Sequence, residues 1–225
     1  IYFEEIETKN GYLLGVATLN SLETLNALTL DMVRLLTQRL NIWRDNPKIS
    51  VVILQAEGDR AFSAGGDLQS LYQSMLEQPA SDPLDLTSNQ YAAHFFEEEY
   101  RLDYLIHLYP KPILSWGHGI IMGGGIGVFI GASHRVVTET ARLAMPEVAI
   151  GLYPDVGASW FLNRTPRFCG LFMALTGISI NANDAIFAKF ADYKINQAKK
   201  STVINRLQVE SWDGETQQKY FNAIR

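Results

Sequence analysis

Two carboxylates and two glycine turns are the residues in this chain best suited to chemistry. Glu147 and Asp155 lie in Ala144-Met145-Pro146-Glu147-Val148-Ala149-Ile150-Gly151-Leu152-Tyr153-Pro154-Asp155-Val156-Gly157, a stretch that is otherwise apolar. Carboxylates embedded in such sequence either stand exposed at loop ends or are functional. In the second case desolvation raises their pKa values toward the range useful for acid–base work. The prolines keep the two off one regular helix face, so a turn must bring them together. The segment Arg60-Ala61-Phe62-Ser63-Ala64-Gly65-Gly66-Asp67-Leu68 joins a strand-like run to a helix-like one. Its paired glycines permit either a purely structural turn, with Asp67 capping the helix, or close approach of a ligand to the backbone. The segment Gly117 to Gly127 puts Gly123-Gly124-Gly125 at the opening of an apolar helix. Three consecutive glycines cost conformational entropy, but they free N–H groups to meet an anion at the helix N-terminus. A dinucleotide loop is the rival reading; the spacing G-x-G-x-x-G fails from Gly123 onward and no early strand carries it. His118 reads either as a satisfied structural histidine or as a base.

The elements that must position these residues follow from hydrophobic periodicity. Tyr12–Leu19 and Ile49–Ala56 are rich in β-branched and aliphatic residues and read as strands. Between them Thr29 is a plausible N-cap, and Met32, Leu35, Leu36, Leu40 and Trp43 recur at spacings of three and four until Asn46-Pro47 stops the helix. Strand, helix, strand at this length predicts a right-handed α/β crossover. Further helices are expected over Asp67–Leu76, Tyr91–Leu108, Gly123–Gly131, Val156–Leu162, Arg167–Leu175 and Asn183–Phe190. Strands are expected over Ile113–Trp116, Arg135–Thr138 and Ala141–Ala144, and a loop over Gln78–Ser88. The tail from Tyr193 shows no clear period and receives no assignment. No composition shift marks a boundary before about residue 190. The expected division is therefore a core over residues 1–190 and a C-terminal helical region over 191–225 that is incomplete.

Composition excludes some functions. The chain has 225 residues, 47% of them hydrophobic and 19% charged, which is enough for a sizeable core. A net charge of -5 without a basic run argues against general nucleic-acid binding, which needs clustered cations. It leaves room for a small anionic ligand at a helix N-terminus. Cys169 is the single cysteine, so no intrachain disulfide or cysteine metal cluster is available; within Phe168-Cys169-Gly170-Leu171-Phe172 it reads as a buried small apolar residue. No apolar run is long enough to span a membrane, and the first residues resemble neither a signal nor a transit peptide.

In this order and spacing the three segments resemble the enoyl-CoA hydratase/isomerase (crotonase) superfamily over about residues 2–192. The resemblance implies an α/β fold, a spiral of β-β-α turns with helices outside, assembled as trimers. It also implies two backbone N–H groups that receive a thioester carbonyl oxygen, carried here by Gly66 and Gly124. Leu25-Asn26-Ala27-Leu28 resembles the early CoA-binding loop of the family, with Leu25 and Ala27 as contacts. Arg60 is either a phosphate contact or a solvated loop charge. No separate cofactor is expected, because CoA is part of the substrate.

The same resemblance bears on the reaction. Hydratases of the superfamily use two glutamates; one matches Glu147, and the position of the other holds Gly127, which cannot transfer a proton. Pro154-Asp155 replaces their usual Pro-Gly. With Met145-Pro146-Glu147 and Glu97-Glu98-Glu99-Tyr100, this pattern is similar to the 3-hydroxyisobutyryl-CoA hydrolases. It implies Glu147 and Asp155 as a catalytic pair and Glu99 and Gly124 as substrate-binding positions, with Glu97 and Glu98 on a solvated face. The partner implied is an acyl-CoA, with a homo-oligomer allowed, in the cytoplasm of a bacterium or the mitochondrial matrix of a eukaryote. The alternatives are an enoyl-CoA hydratase or isomerase working with Glu147 alone, and a non-catalytic binding or assembly module.

Overall fold

The computed structural model describes residues 1–78 and 88–212. The chain opens with an antiparallel pair, β1 (Tyr2–Glu7) and β2 (Leu13–Leu19). Helix α1 (Leu30–Asp45) then crosses to β3 (Ile49–Ala56), which lies parallel to β2, as the strand–helix–strand pattern predicts. Thr29 caps α1 by accepting a hydrogen bond from the Met32 N–H. Met32, Val33, Leu36, Leu40 and Trp43 are buried, whereas Leu35 is 46% exposed. At about 100° per residue, Leu35 falls on the flank rather than on the buried stripe.

Three β-β-α turns follow. The first is β3, β4 (Ala61–Ser63) and α2 (Leu68–Glu77), after which α3 (Gln90–His107) leads back to the sheets. The second is β5 (Ile113–Gly117), β6 (Ile120–Met122) and α4 (Gly124–Ile130). The third is β7 (His134–Val137), β8 (Arg142–Ala144), a 3-10 turn over Glu147–Ile150 and α5 (Ala158–Phe161). Then come α6 (Cys169–Thr176), β9 (Ile180–Asn181), α7 (Ala182–Phe187), β10 (Tyr193–Lys194) and α8 (Lys200–Val209). The first strand of each turn joins a six-stranded sheet in the order β1-β2-β3-β5-β7-β10. The second joins a four-stranded sheet in the order β4-β6-β8-β9. This is the expected spiral. The pairings β2 to β3, β3 to β5 and β5 to β7 are all parallel, as are β4 to β6 and β6 to β8.

The period of two along the strands divides the large sheet between two cores. Leu14, Val16, Val51, Ile53, Leu114, Trp116 and Val136 face one way; Ala17, Leu19, Val52, Leu54 and Val137 face the other. Both faces are covered, which is why these strands read as continuous apolar runs. The unassigned tail contributes to the first of these layers. Tyr193 and Lys194 pair with Val136 and Val137, and Leu207 and Trp212 bury against Leu14 and its neighbours. Residues 213–225, part of the expected C-terminal region, lie outside the described residues, as does most of the loop expected over Gln78–Ser88.

Some short elements had no sequence expectation. Strands β4, β6, β9 and β10 have two or three residues each, too few for a period to show. Cys169, expected to be buried, is only half-buried, because it opens α6, whose Leu171, Phe172 and Leu175 are exposed.

Candidate active site

The turn at Gly65-Gly66 and the loop over residues 25–28 are stitched together by backbone. The Leu28 N–H donates to the Gly65 carbonyl at 2.8 Å, the Asp67 N–H to the Leu28 carbonyl at 2.9 Å and the Ala64 N–H to the Leu25 carbonyl at 3.0 Å. In this parallel bridge Leu28 bonds to both flanks of Gly66 and skips the Gly66 amide itself. Leu25 and Asn26 both have φ of +56°, and the buried Asn26 side chain holds that shape. Its Oδ1 accepts from the Ser21 N–H at 2.7 Å, and its Nδ2 donates to the carbonyls of Glu57 and Ala61 at 3.1 and 2.9 Å. Asp67 accepts from the Ser70 N–H and caps α2, so it serves the helix rather than the cleft.

Helix α4 begins at Gly124, whose amide belongs to the first turn and has no intrahelical acceptor. A Cβ built on Gly124 would lie 3.3 Å from the Gly66 nitrogen, and one built on Gly65 would lie 3.6 Å from the Gly124 nitrogen. The two amides therefore stand beside each other, one from each glycine turn. Such a pair can receive charge that develops on a carbonyl oxygen.

Around them a narrow cleft of about 80 Å³ is lined by Gly65, Gly66, Gly123, Gly124, Glu99, Glu147 and Asp155, with Phe95, Phe96, Pro146 and Leu152. Glu147 reaches it from the 3-10 turn after β8, and a Cβ on Gly123 would lie 3.1 Å from its Oε1. The turn ends at Gly151, with φ of +76°, and its return carries Asp155 to the same cleft. The Leu152 N–H donates to the Glu147 carbonyl at 3.0 Å, which closes that return. Val156 follows with φ of +43°, a conformation a β-branched residue adopts only when its surroundings impose it. The Tyr100 hydroxyl donates to Asp155 Oδ2 at 2.7 Å.

The carboxyls are electrostatically unlike ordinary surface groups. Burial, reinforced by the charge of Asp155, pushes Glu147 up to about 7. Burial, followed by Asp155 and Glu147, pushes Glu99 up to about 8. Burial also raises Asp155, while the hydrogen bond from Tyr100 opposes that shift. Glu147 Oε2 and Glu99 Oε1 are sealed from solvent and have no hydrogen-bond partner among the described residues. Two unpartnered carboxyl oxygens close to two free amides make a site able to hold a polar ligand and to move a proton on it.

Of the sequence candidates, Gly66, Gly124, Glu99, Glu147 and Asp155 are thus brought together. Leu25 and Ala27 abut the Gly65-Gly66 turn without lining the cleft, and Arg60 is exposed and outside its lining. His118 is buried, also outside the lining, with its pKa lowered by burial. Glu97 and Glu98 face solvent, paired with Arg101 at 2.6 Å and Arg34 at 2.7 Å. Tyr100 and Asp103 escaped sequence reasoning. Asp103 lies four residues after Glu99, so helical spacing on a shared face was the available signal. Among the described residues no group of His, Cys, Asp and Glu is placed to hold a metal ion.

Comparison with known proteins bears on the family and the fold. A family model described as enoyl-CoA hydratase/isomerase matches residues 14–225. The chain is 40% identical over 185 residues to the mitochondrial 3-hydroxyisobutyryl-CoA hydrolase of Xenopus tropicalis, covering 82% of this chain and 46% of that protein. It is 37% identical over 196 residues to the human protein of that name, covering 87% and 48%. The chain therefore spans about half the length of the curated relatives it matches. Among solved structures, an enoyl-CoA hydratase from Rhodobacter sphaeroides 2.4.1 superposes with a TM-score of 0.80 at 32% identity, covering 99% of this chain and 64% of that one. A carnitinyl-CoA dehydratase from Mycobacterium thermoresistibile gives 0.81 at 36%, covering 92% and 57%.

Proposed function

The chain belongs to the enoyl-CoA hydratase/isomerase family, and from that premise we propose that it hydrolyses a short 3-hydroxyacyl-CoA thioester, with 3-hydroxyisobutyryl-CoA as the substrate that its relatives' names favour. The observation that carries the reading is the composition of the cleft. It gathers two adjacent free amides with Glu147 and Asp155, while the helix that follows the second amide offers only Gly127.

In this reading the thioester oxygen sits between the Gly66 and Gly124 amides. A water oxygen attacks the carbonyl carbon as Glu147 takes its proton, and the tetrahedral oxyanion is held by the two N–H groups. Donors preorganised in this way favour the transition state over the ground state, and losing one costs about 3–4 kcal/mol. Collapse breaks the carbon–sulfur bond, and the proton held by Glu147 passes to the departing CoA thiolate. Alternatively Glu147 attacks the carbonyl carbon first and expels the CoA thiolate as the carbon–sulfur bond breaks, giving a mixed anhydride that water then opens to the free acid and Glu147, its proton passing to the thiolate. Asp155, fixed by Tyr100, orients the acyl hydroxyl or assists proton transfer, and Glu99 helps seat the substrate beside Gly124.

Glu147 near 7 suits a base working at neutral pH. The test is release of free CoA from a panel of short acyl-CoA thioesters, with Glu147→Gln beside the wild type. Full hydrolysis by Glu147→Gln would sink both routes. Single turnover in labelled water separates them, because only the anhydride route places label in Glu147.

Hydration of an enoyl-CoA is the second reading, favoured by the likeness to a solved enoyl-CoA hydratase. Crotonyl-CoA hydration faster than 3-hydroxyisobutyryl-CoA hydrolysis would establish it. CoA binding without turnover of any thioester would instead favour a non-catalytic module. The relatives' printed names place them in mitochondria; we extend the matrix to this chain if its source is eukaryotic, and the cytoplasm if bacterial. A homo-oligomer is part of the same proposal.

A further inference from the structure

Helices α3 and α4 meet through carboxyls on one side and glycines on the other. Glu99 and Asp103 are one turn apart on α3, and Gly124 and Gly127 are about one turn apart on α4. A Cβ on Gly124 would collide with Glu99 Oε1, and a Cβ on Gly127 would lie 2.7 and 2.8 Å from the two Asp103 oxygens. The Asp103 carboxyl thus rests on Gly127 as Glu99 rests on Gly124. Val156, next to Asp155, closes the same spot, with its Cβ 2.7 Å from that of a residue built at Gly127.

Both Asp103 oxygens are sealed from solvent and neither has a hydrogen-bond partner among the described residues. A carboxyl in this position is stable as the neutral acid. Its pKa is raised well above the ordinary carboxylate value by burial first, with Glu99 and Asp155 acting in the same direction. A neutral carboxyl has one O–H donor and a free carbonyl acceptor, the complement of an alcohol, which is also donor and acceptor. On its outer side lies a mostly apolar recess of about 580 Å³ with Leu108, Ile130, Trp160 and Phe161 in its wall. Asp103 is therefore an unpaired polar spot in the wall of this recess; it stands outside the lining of the carboxyl-lined cleft and adjoins that cleft through Glu99, one turn earlier on α3. One helical turn, ~5 Å, separates Gly127 from the amide at Gly124, the scale on which a hydroxyl two carbons beyond a carbonyl would fall.

We propose that Asp103 is a specificity-determining residue that hydrogen-bonds the hydroxyl of the bound acyl group, so that the chain selects hydroxylated short acyl thioesters over their deoxy counterparts. This deepens the thioester reading and takes its ligand class from it. It also leaves Asp155, whose Oδ2 already accepts from Tyr100, for proton transfer.

The test measures binding rather than turnover. Two stable CoA analogues, with a methylene in place of the thioester sulfur, carry either a 3-hydroxyacyl group or the same group without its hydroxyl. Calorimetry on the wild type is expected to show a preference of about tenfold or more for the hydroxylated analogue, the effect of one hydrogen bond to a buried group. Asp103→Asn, which still donates and accepts, keeps most of that preference. Asp103→Leu and Asp103→Ala bind both analogues within about twofold of each other, with thermal stability at or above that of the wild type, because a buried unpaired group has been removed. No preference in the wild type, or an undiminished preference in either Asp103→Leu or Asp103→Ala, overturns the proposal. A chain that binds with this preference yet hydrolyses no thioester retires the hydrolase reading and leaves the assignment of Asp103 standing.

Discussion

The Glu99 carboxylate occupies the space beside Gly124 in which any side chain would have to stand. A Cβ at Gly124 collides with Glu99 Oε1, and Glu99, 2% exposed, is packed too tightly to move aside freely. Gly124→Ala should therefore displace either the carboxyl or the amide, lowering kcat by about 100-fold or more, the usual range for a disturbed oxyanion donor. Glu99→Ala introduced together with it should relieve the clash and recover thermal stability but not full activity. Steady-state kinetics and thermal unfolding on the two variants, beside the wild type, check this.

The pH dependence of turnover follows from Glu147. With burial holding it near 7, the base form is a minority below that value, so kcat/KM should rise with pH and level off above about 7. Tyr100→Phe removes the hydrogen bond that opposes the upward shift of Asp155, so that shift should grow and the loss of rate should be larger at pH 6 than at pH 8. A pH profile identical in shape to that of the wild type would contradict the assignment.

Stability should run the other way. Glu99 rises from 4.5 to about 8 on folding, and Glu147 from 4.5 to about 7. Between those limits the native state binds more protons than the unfolded chain, so these groups lend stability that is full below about pH 4.5 and is lost as pH rises toward 8. Glu99→Gln keeps the shape without the charge. It should flatten part of that slope and be more stable than the wild type at pH 8.5 while gaining little at pH 5. Denaturant midpoints at the two pH values give the comparison.

Asn26 ties the loop over residues 21–28 to the chain before Gly66. Asn26→Ala leaves the Ser21 amide and the Glu57 and Ala61 carbonyls without their partner, in a residue whose φ of +56° also suits Asn better than Ala. A loss of about 2–3 kcal/mol is expected. At about 2–4 °C per kcal/mol for a chain of this size, thermal unfolding should shift by roughly 5–10 °C. Because Leu25 and Leu28 bond to both sides of Gly66, weaker acyl-CoA binding should accompany the shift.

The elements most legible in the sequence were those whose signal is local. The cap at Thr29, the apolar stripe of α1, the aliphatic runs of β2 and β3 and the cap at Asp67 are written in neighbouring residues, and the structure has them within a residue or so. Of the shortest strands only β8 was legible; β4, β6, β9 and β10 were not, because two or three residues hold no period and pairing is set by partners up to about sixty positions away. The tail after Tyr193 was illegible for a related reason: Leu207 and Trp212 are isolated apolar residues whose burial depends on a sheet built from the other end of the chain.

For the site, residue types and spacing singled out the turns at Gly65-Gly66 and Gly123-Gly124-Gly125 and the carboxylates Glu147 and Asp155, because glycine pairs and carboxylates in apolar sequence are unusual wherever they occur; Glu99 and the particular amides of Gly66 and Gly124 came from the resemblance to the crotonase superfamily. The sequence by itself also determined the strand–helix alternation and the absence of a carboxylate at Gly127. Only the tertiary structure decided which groups face each other: that Glu99 lies against Gly124, that Asp103 fills the space beside Gly127, that Tyr100 holds Asp155, and that Arg60 stays outside. The physical reason is that backbone conformation is set largely by near neighbours, whereas burial, pKa and side-chain contact are set by the packing of helix α3 on helix α4, which no local pattern specifies.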